Sequence, residues 1–111
     1  MCHFKNCYTG ANGYIIKCEE CHHFQVAFGT TVLTLNSYDF QAFLGIVSYK
    51  KENHEPKADP LIRSIVLPTP CNTVHLIFNE KELNELHFML QEADTEIRAQ
   101  QLISLFAPTT K

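Results

Sequence analysis

Four of the five cysteines lie within the first 21 residues, at spacings that could build a metal site. Four residues separate Cys2 from Cys7, and two residues separate Cys18 from Cys21. Zn²⁺ prefers a tetrahedron of thiolate or imidazole ligands, and a Cys-x2-Cys turn supplies two thiolates from one short loop. We therefore predict one zinc ion, held by Cys2, Cys7, Cys18 and Cys21.

Three histidines next to these cysteines are alternative ligands, since an imidazole can replace a thiolate at zinc. They are His3, His22 and His23. With four protein ligands no position remains open for water or substrate, so the predicted zinc is structural. Its binding would contribute on the order of 10 kcal/mol to the folding of the candidate metal-binding segment, residues 1–23.

A redox function for Cys18 and Cys21 is the main alternative. The first residues lack the apolar stretch of a signal peptide, so we expect a cytoplasmic protein with reduced thiols. Glu19 and Glu20 disfavour the thiolate form of the adjacent cysteines unless a metal offsets their charge. The alternative function is a thiol-based redox or metal-responsive regulator that uses Cys18 and Cys21.

Enzyme motifs are missing from the sequence, which has no Gly-rich phosphate loop, no HExxH and no GxSxG. Cys71 and His75 could serve as nucleophile and base, but such pairs are recognised by geometry and not by spacing. We expect no enzymatic activity, and therefore no catalytic residue.

The composition indicates one globular domain spanning residues 1–111, with 45% hydrophobic and 19% charged residues. The net charge is −3, and the lysines and arginines form no cluster that could displace phosphate counterions, which argues against nucleic-acid binding. No apolar run approaches the 18 residues of a membrane span. These features favour a domain that acts through protein contacts.

Hydrophobic periodicity predicts the elements that must position the cysteines. Residues 1–13 contain Gly10, Asn12 and Gly13 and show little periodicity, so we expect a loop there. Helices are expected to begin after the capping residues Asn36 and Asn79. The predicted strands are 14–17, 24–28, 31–35, 62–67 and 74–78.

Residues 24–54 and 62–107 each predict two strands followed by a capped helix. A shift of 43 residues places Asn36 on Asn79 and Phe43 on Leu86, which makes the chain a candidate for an internal ββα-ββα repeat. The predicted fold class is α+β, with a largely antiparallel sheet of four or five strands and two helices on one face.

The second helix has two apolar sets that cannot both face one sheet. Leu102, Leu105 and Phe106 lie roughly 100° or more around an ideal helix from the main stripe. Either Asp94 or Thr95 ends one helix and caps another, or the C-terminal face docks on a second copy. We therefore expect a homodimer or another protein partner. The main stripe consists of Leu83, Leu86, Leu90, Ala93 and Ile97.

The stretch from Cys18-x-x-Cys21 through His22-His23-Phe24 to Phe28-Gly29, followed by a strand and a capped helix, resembles a family of short, uncharacterised bacterial proteins. Members share a CxxC followed by a phenylalanine-glycine turn. The resemblance implies a small soluble bacterial protein without an assigned activity, and it supplies no catalytic residues. The expected function is a small non-enzymatic protein-interaction domain with a structural zinc site.

Overall fold

Six strands and two helices make up the computed structural model, which describes residues 3–55, 59, 61–71 and 73–106. The strands β1 to β4 form an antiparallel sheet in chain order, and β5 and β6 form a separate antiparallel pair. This confirms the predicted α+β class, although the strands divide between two sheets. The elements are β1 Phe4–Gly10, β2 Gly13–Cys18, β3 Phe24–Phe28, β4 Thr31–Leu35, α1 Ser37–Asn53, β5 Ile65–Pro68, β6 His75–Phe78 and α2 Glu80–Phe106.

Strand β1 lies where the sequence predicted a loop, and that prediction was wrong. A β-bulge between Asn6 and Tyr8 interrupts the alternation, so Cys7 is the only fully buried residue of this edge strand. The hairpin closes at Gly13, where an added Cβ would lie 1.9 Å from the Ala27 carbonyl oxygen. The start of β2 therefore lies so close to the backbone of β3 that a residue larger than glycine would not fit.

Both helices begin at the predicted asparagines. The Asn36 Oδ1 accepts from the Asp39 amide at 2.7 Å, and the Asn79 Oδ1 accepts from the Glu82 amide at the same distance. Only the second start is a reciprocal capping box, because the Glu82 carboxylate also accepts from the Asn79 amide at 3.0 Å.

One hydrophobic core holds these elements together, and every strand and helix contributes to it. Phe24 of β3 stacks on Phe40 of α1 with ring centroids 4.7 Å apart. Phe28 meets Phe78 of β6 edge-to-face at 5.5 Å, which joins the two sheets. Both hairpin–helix units therefore share a single interior, and the duplication of one from the other stays a prediction.

Helix α2 continues without a break through the positions where we expected an end and a new cap. Asp94 binds the Arg98 Nε at 2.9 Å and the Gln41 Nε2 at 2.8 Å, so its carboxylate is engaged on the helix surface. The expectation that Asp94 or Thr95 ends a helix was wrong. The buried residues of α2 stop at Ile97. Within the described ranges, no helix is apolar over a stretch long enough to cross a bilayer.

Candidate metal centre

The turn between β2 and β3, residues 18–23, folds into a compact loop that we call the knuckle. The Cys18 carbonyl accepts from the His22 amide, and the Cys18 amide donates to the His23 carbonyl, both at 2.8 Å. His22 adopts a left-handed conformation with φ 62°, which reverses the chain. The loop thereby brings the two ends of Cys18-x-x-Cys21 close together.

The knuckle directs a backbone amide at sulfur. The Cys21 N–H donates to the Cys18 Sγ at 3.4 Å. A donor aimed at a sulfur stabilises negative charge on it, which favours the thiolate form that a metal binds. Cys18 is disulfide-bonded in this structure, so the Cys21 amide would act on a Cys18 thiolate only after that disulfide is reduced.

The N-terminal strand runs directly beside this loop. Phe4 pairs with Cys18, and the pairing extends outwards because the Glu19 amide donates to the His3 carbonyl at 2.9 Å. The His3 amide in turn donates to the Glu20 carboxylate at 3.2 Å. The backbone of His3 therefore lies against the knuckle. Cys2, the other predicted ligand of this segment, lies outside the described residues.

The two acidic residues of the knuckle each face a basic side chain. Glu19 Oε2 lies 3.8 Å from Lys5 Nζ, and Glu20 Oε2 lies 3.9 Å from His3 Nε2. All four side chains are at least 48% exposed, so each pair contributes no more than about 1 kcal/mol. The pairs reduce the repulsion that Glu19 and Glu20 exert on neighbouring thiolates.

The thiols of the described cysteines differ in environment. Cys18 is 1% exposed, yet it is not part of the hydrophobic core cluster. Its sulfur forms a disulfide bond. Cys21 and the alternative ligands His22 and His23 are exposed on the loop. Among the described residues, no three His, Cys, Asp or Glu side chains are grouped to hold a metal.

Cys7 is separated from the knuckle. It lies on β1 three residues beyond Phe4, the residue opposite Cys18, which corresponds to about 10 Å along a strand. Its side chain packs in the hydrophobic core, and its thiol donates to the Lys5 carbonyl at 3.8 Å. Burial raises the pKa of this thiol, which disfavours the thiolate. The structure thus places the backbone of His3 beside the knuckle that carries Cys18 and Cys21, and it places Cys7 elsewhere.

The Cys71 and His75 pair shows no catalytic geometry. Both residues are exposed, and the Cys71 Sγ contacts the Thr73 Oγ1 at 3.7 Å. The hydrogen bond with the Thr73 side chain lowers the pKa of Cys71. Between these two described residues there is no hydrogen bond, so nothing orients His75 as a base for Cys71.

A histidine–serine contact that the sequence analysis did not predict joins the two helices. His87 Nε2 lies 3.1 Å from Ser48 Oγ, while its Nδ1 lies 3.5 Å from Lys51 Nζ. An ammonium can only donate, so when Lys51 donates to Nδ1, Nε2 carries the ring proton and donates it to Ser48. A general base needs the opposite tautomer. Ser48 and His87 are 39 positions apart in the sequence, so no local signal indicated this contact.

Comparison with known proteins identifies a family to which no function is assigned. No curated protein and no solved structure matches the chain significantly. A family model described as a family of unknown function (DUF6686) matches residues 1–106, almost the whole chain. The chain therefore belongs to this family of unknown function, in agreement with the resemblance drawn from its sequence.

Proposed function

We propose that the protein is a small, non-enzymatic protein-interaction domain whose N-terminal knuckle holds one structural zinc ion. The observation that carries the proposal is the hydrogen bond from the Cys21 amide to the Cys18 sulfur, in a loop reversed by the left-handed His22. This arrangement places two cysteines in one short loop and aims a donor at sulfur, as a zinc-binding turn requires.

The proposed ligands come from the two segments that meet at the knuckle. Cys18 and Cys21 supply two thiolates, and Cys2, which precedes His3 in the sequence, supplies a third. The fourth ligand is one of His3, His22 and His23. Cys7 is not in this set, because it packs in the core away from the knuckle.

The role proposed for the metal is to hold an edge strand in place. Strand β1 pairs with β2 on one side only, and its Tyr8 ring packs edge-to-face on Phe88 of α2 with centroids 6.2 Å apart. A zinc ion bound by residues before β1 and by the β2–β3 turn would join the two strands at the open end of their hairpin, where Phe4 pairs with Cys18. Loss of the metal would free β1 first.

The absence of enzymatic activity is proposed from the two nucleophile–histidine pairs. His87 donates to Ser48 instead of accepting its proton, and Cys71 is hydrogen-bonded to Thr73 and not to His75. Neither described pair is arranged for proton abstraction. The interaction role is supported by the exposed apolar side chains on the last turns of α2.

A second candidate function is a redox or metal-responsive regulator, and the disulfide at Cys18 favours it. Two zinc-bound thiolates that form a disulfide lose two electrons and release the metal. With a peroxide as oxidant, those electrons and two protons convert one hydrogen peroxide to two water molecules. The same cysteines would then report the redox state of their surroundings.

Metal analysis of the full chain tests the proposal. We expect protein purified in reductant without chelator or added metal to contain about one equivalent of zinc per chain. The double variant C18S/C21S should lose it, while Cys71→Ser should retain it because Cys71 is exposed outside the knuckle. A metal-free wild-type protein with five titratable thiols would overturn the zinc site.

Treatment of the zinc-loaded protein with mild peroxide separates the two candidate functions. A structural site retains its zinc under these conditions. A regulator releases the zinc as a disulfide forms, and it takes the metal back after a thiol reductant and zinc are added.

A further inference from the structure

The end of α2 carries a surface that the core leaves uncovered. Four large apolar side chains follow the last buried residue, with exposures of 57% at Leu102, 67% at Ile103, 78% at Leu105 and 82% at Phe106. Monomeric proteins seldom place so many neighbouring apolar side chains in water. The first two-thirds of the helix, by contrast, bury their apolar stripe in the core.

Four residues of this segment surround a shallow depression of about 450 Å³. They are Ala99, Leu102, Ile103 and Phe106, at positions i, i+3, i+4 and i+7 of the helix. This is the diamond of four residues that accepts one side chain from a facing helix in knobs-into-holes packing. The small Ala99 leaves room for the facing backbone to approach. The shape of the depression therefore fits another α-helix.

We infer that this depression, together with the side chains that line it, pairs two copies of the chain through a short helix–helix seam. We call Ala99, Leu102, Ile103 and Phe106 the seam. The inference deepens the proposed interaction function, since it names the partner as a second copy. Leu102 and Ile103 act both as walls of one hole and as side chains that enter the other, as a two-fold symmetric contact requires.

The charge pattern favours a second copy over a charged partner helix. No charged residue occurs from Ala99 to Phe106, so two identical segments meet without like-charge repulsion. The nearest charge, on Arg98, binds Asp94 at 2.9 Å. A partner helix flanked by charges would find no opposite charge along this segment.

The other side of the same segment is mostly polar. Gln100, Gln101 and Ser104 line a groove against the sheet together with Leu105, and Lys5, Lys17 and Glu19 face them. One exposed leucine among polar residues makes a poor apolar contact, so a second copy would use the seam side, which has three large apolar side chains. The two sides also provide a matched control within one helix.

The exposed area is enough for a weak dimer. The three large apolar side chains of the seam, taken at roughly 150 Å² each, give about 450 Å² per copy, or about 900 Å² in all. That value lies below the standard size of a specific interface and in the range of weak contacts, so we expect a dissociation constant of roughly 0.1 mM. The dimer should therefore depend on concentration.

Sedimentation equilibrium of the full zinc-loaded chain over a range of concentrations tests the inference. The wild type should shift from monomer to dimer, and Ile103→Glu should weaken association at least about 100-fold because it buries unpaired charges. Gln101→Glu adds the same charge to the polar side of the helix and should leave the dimer intact. A second seam variant, Ala99→Arg, should also give a monomer.

The outcomes separate the seam from the knuckle. If Ile103→Glu is monomeric, is as helical as the wild type by circular dichroism and still binds one zinc, the result supports the seam as the dimer contact. It then says nothing against the zinc site. If C18S/C21S loses zinc but still dimerises, the dimer contact does not depend on the zinc. The inference about the seam then holds although the zinc site has been removed. A wild type that stays monomeric at about 1 mM, or an Ile103→Glu dimer as tight as the wild type, overturns the inference.

Discussion

The two hairpin–helix units, β3–β4–α1 and β5–β6–α2, follow one local plan with different additions. Each has an antiparallel hairpin and a helix with an asparagine cap. The hairpin of the first unit is extended by β1 and β2, which carry the knuckle. The helix of the second unit is extended beyond its last buried residue, where it carries the seam. Both candidate functional regions therefore lie where the units differ, while the shared parts build most of the core.

The largest expected effect concerns whether the two units share one core. The shift of 43 residues places Phe43 on Leu86, and both are fully buried. We expect Phe43→Ala to lower the free energy of unfolding by about 3–5 kcal/mol and Leu86→Ala by about 2–5 kcal/mol, because each leaves a cavity. Chemical denaturation followed by circular dichroism measures both.

A single cooperative transition in each variant agrees with one interior. Two separate transitions, with only one unit lost, would contradict it. Tyr38→Ala serves as the control, since Tyr38 is 81% exposed on α1 and its loss should change the free energy of unfolding by less than about 0.5 kcal/mol.

A smaller effect is expected at the two helix caps. Asn36 makes one cap hydrogen bond, whereas Asn79 belongs to a capping box whose Glu82 also binds Arg63 through two nitrogens. We expect Asn36→Ala to cost about 1 kcal/mol and Asn79→Ala nearer to 2 kcal/mol in the free energy of unfolding. Asn84→Ala, at an exposed position inside α2, should cost nothing measurable. Equal costs at both caps would mean that the capping box adds no stability.

Local signals in the sequence predicted the parts that depend on neighbouring residues. Both asparagine caps, the apolar face of each helix and the Cys18-x-x-Cys21 loop are encoded within a few positions. Strand β1 was missed because the bulge at Cys7 hides its alternation. The division into two sheets was missed because alternation identifies the face of a strand and not its neighbour.

The predicted metal site combined a local signal with one that is not local. The cysteine spacing indicated the knuckle, but the side of β1 on which Cys7 lies depends on the bulge and on the core beneath it. The sequence likewise showed two apolar sets on α2, the main stripe and the set at its C-terminal end. It did not show whether the helix ends between them. Such features depend on contacts between residues far apart in the chain.

The smallest effect concerns the contact between the helices of the two units. Burial, and then repulsion from Lys51, lowers the pKa of His87 below its usual 6.5. The His87 ring of the unfolded chain therefore binds its second proton more readily than the ring of the folded chain does. The stabilising contribution of neutral His87 is complete above pH 6.5 and is lost as the pH falls from there towards its lower folded pKa. An NMR titration of the His87 ring should place its midpoint below 6.5.

Neutralising Lys51 distinguishes the two causes of this shift. Lys51→Gln removes the repulsion and should raise the pKa of His87, while burial keeps it below that of a solvated histidine. Lys50→Gln removes an equal charge from the next position of α1 and should leave the titration unchanged. A wild-type midpoint at or above 6.5 would mean that the ring is solvated. The hydrogen bond to Ser48 would then not join the two units, and the shared core alone would hold them together.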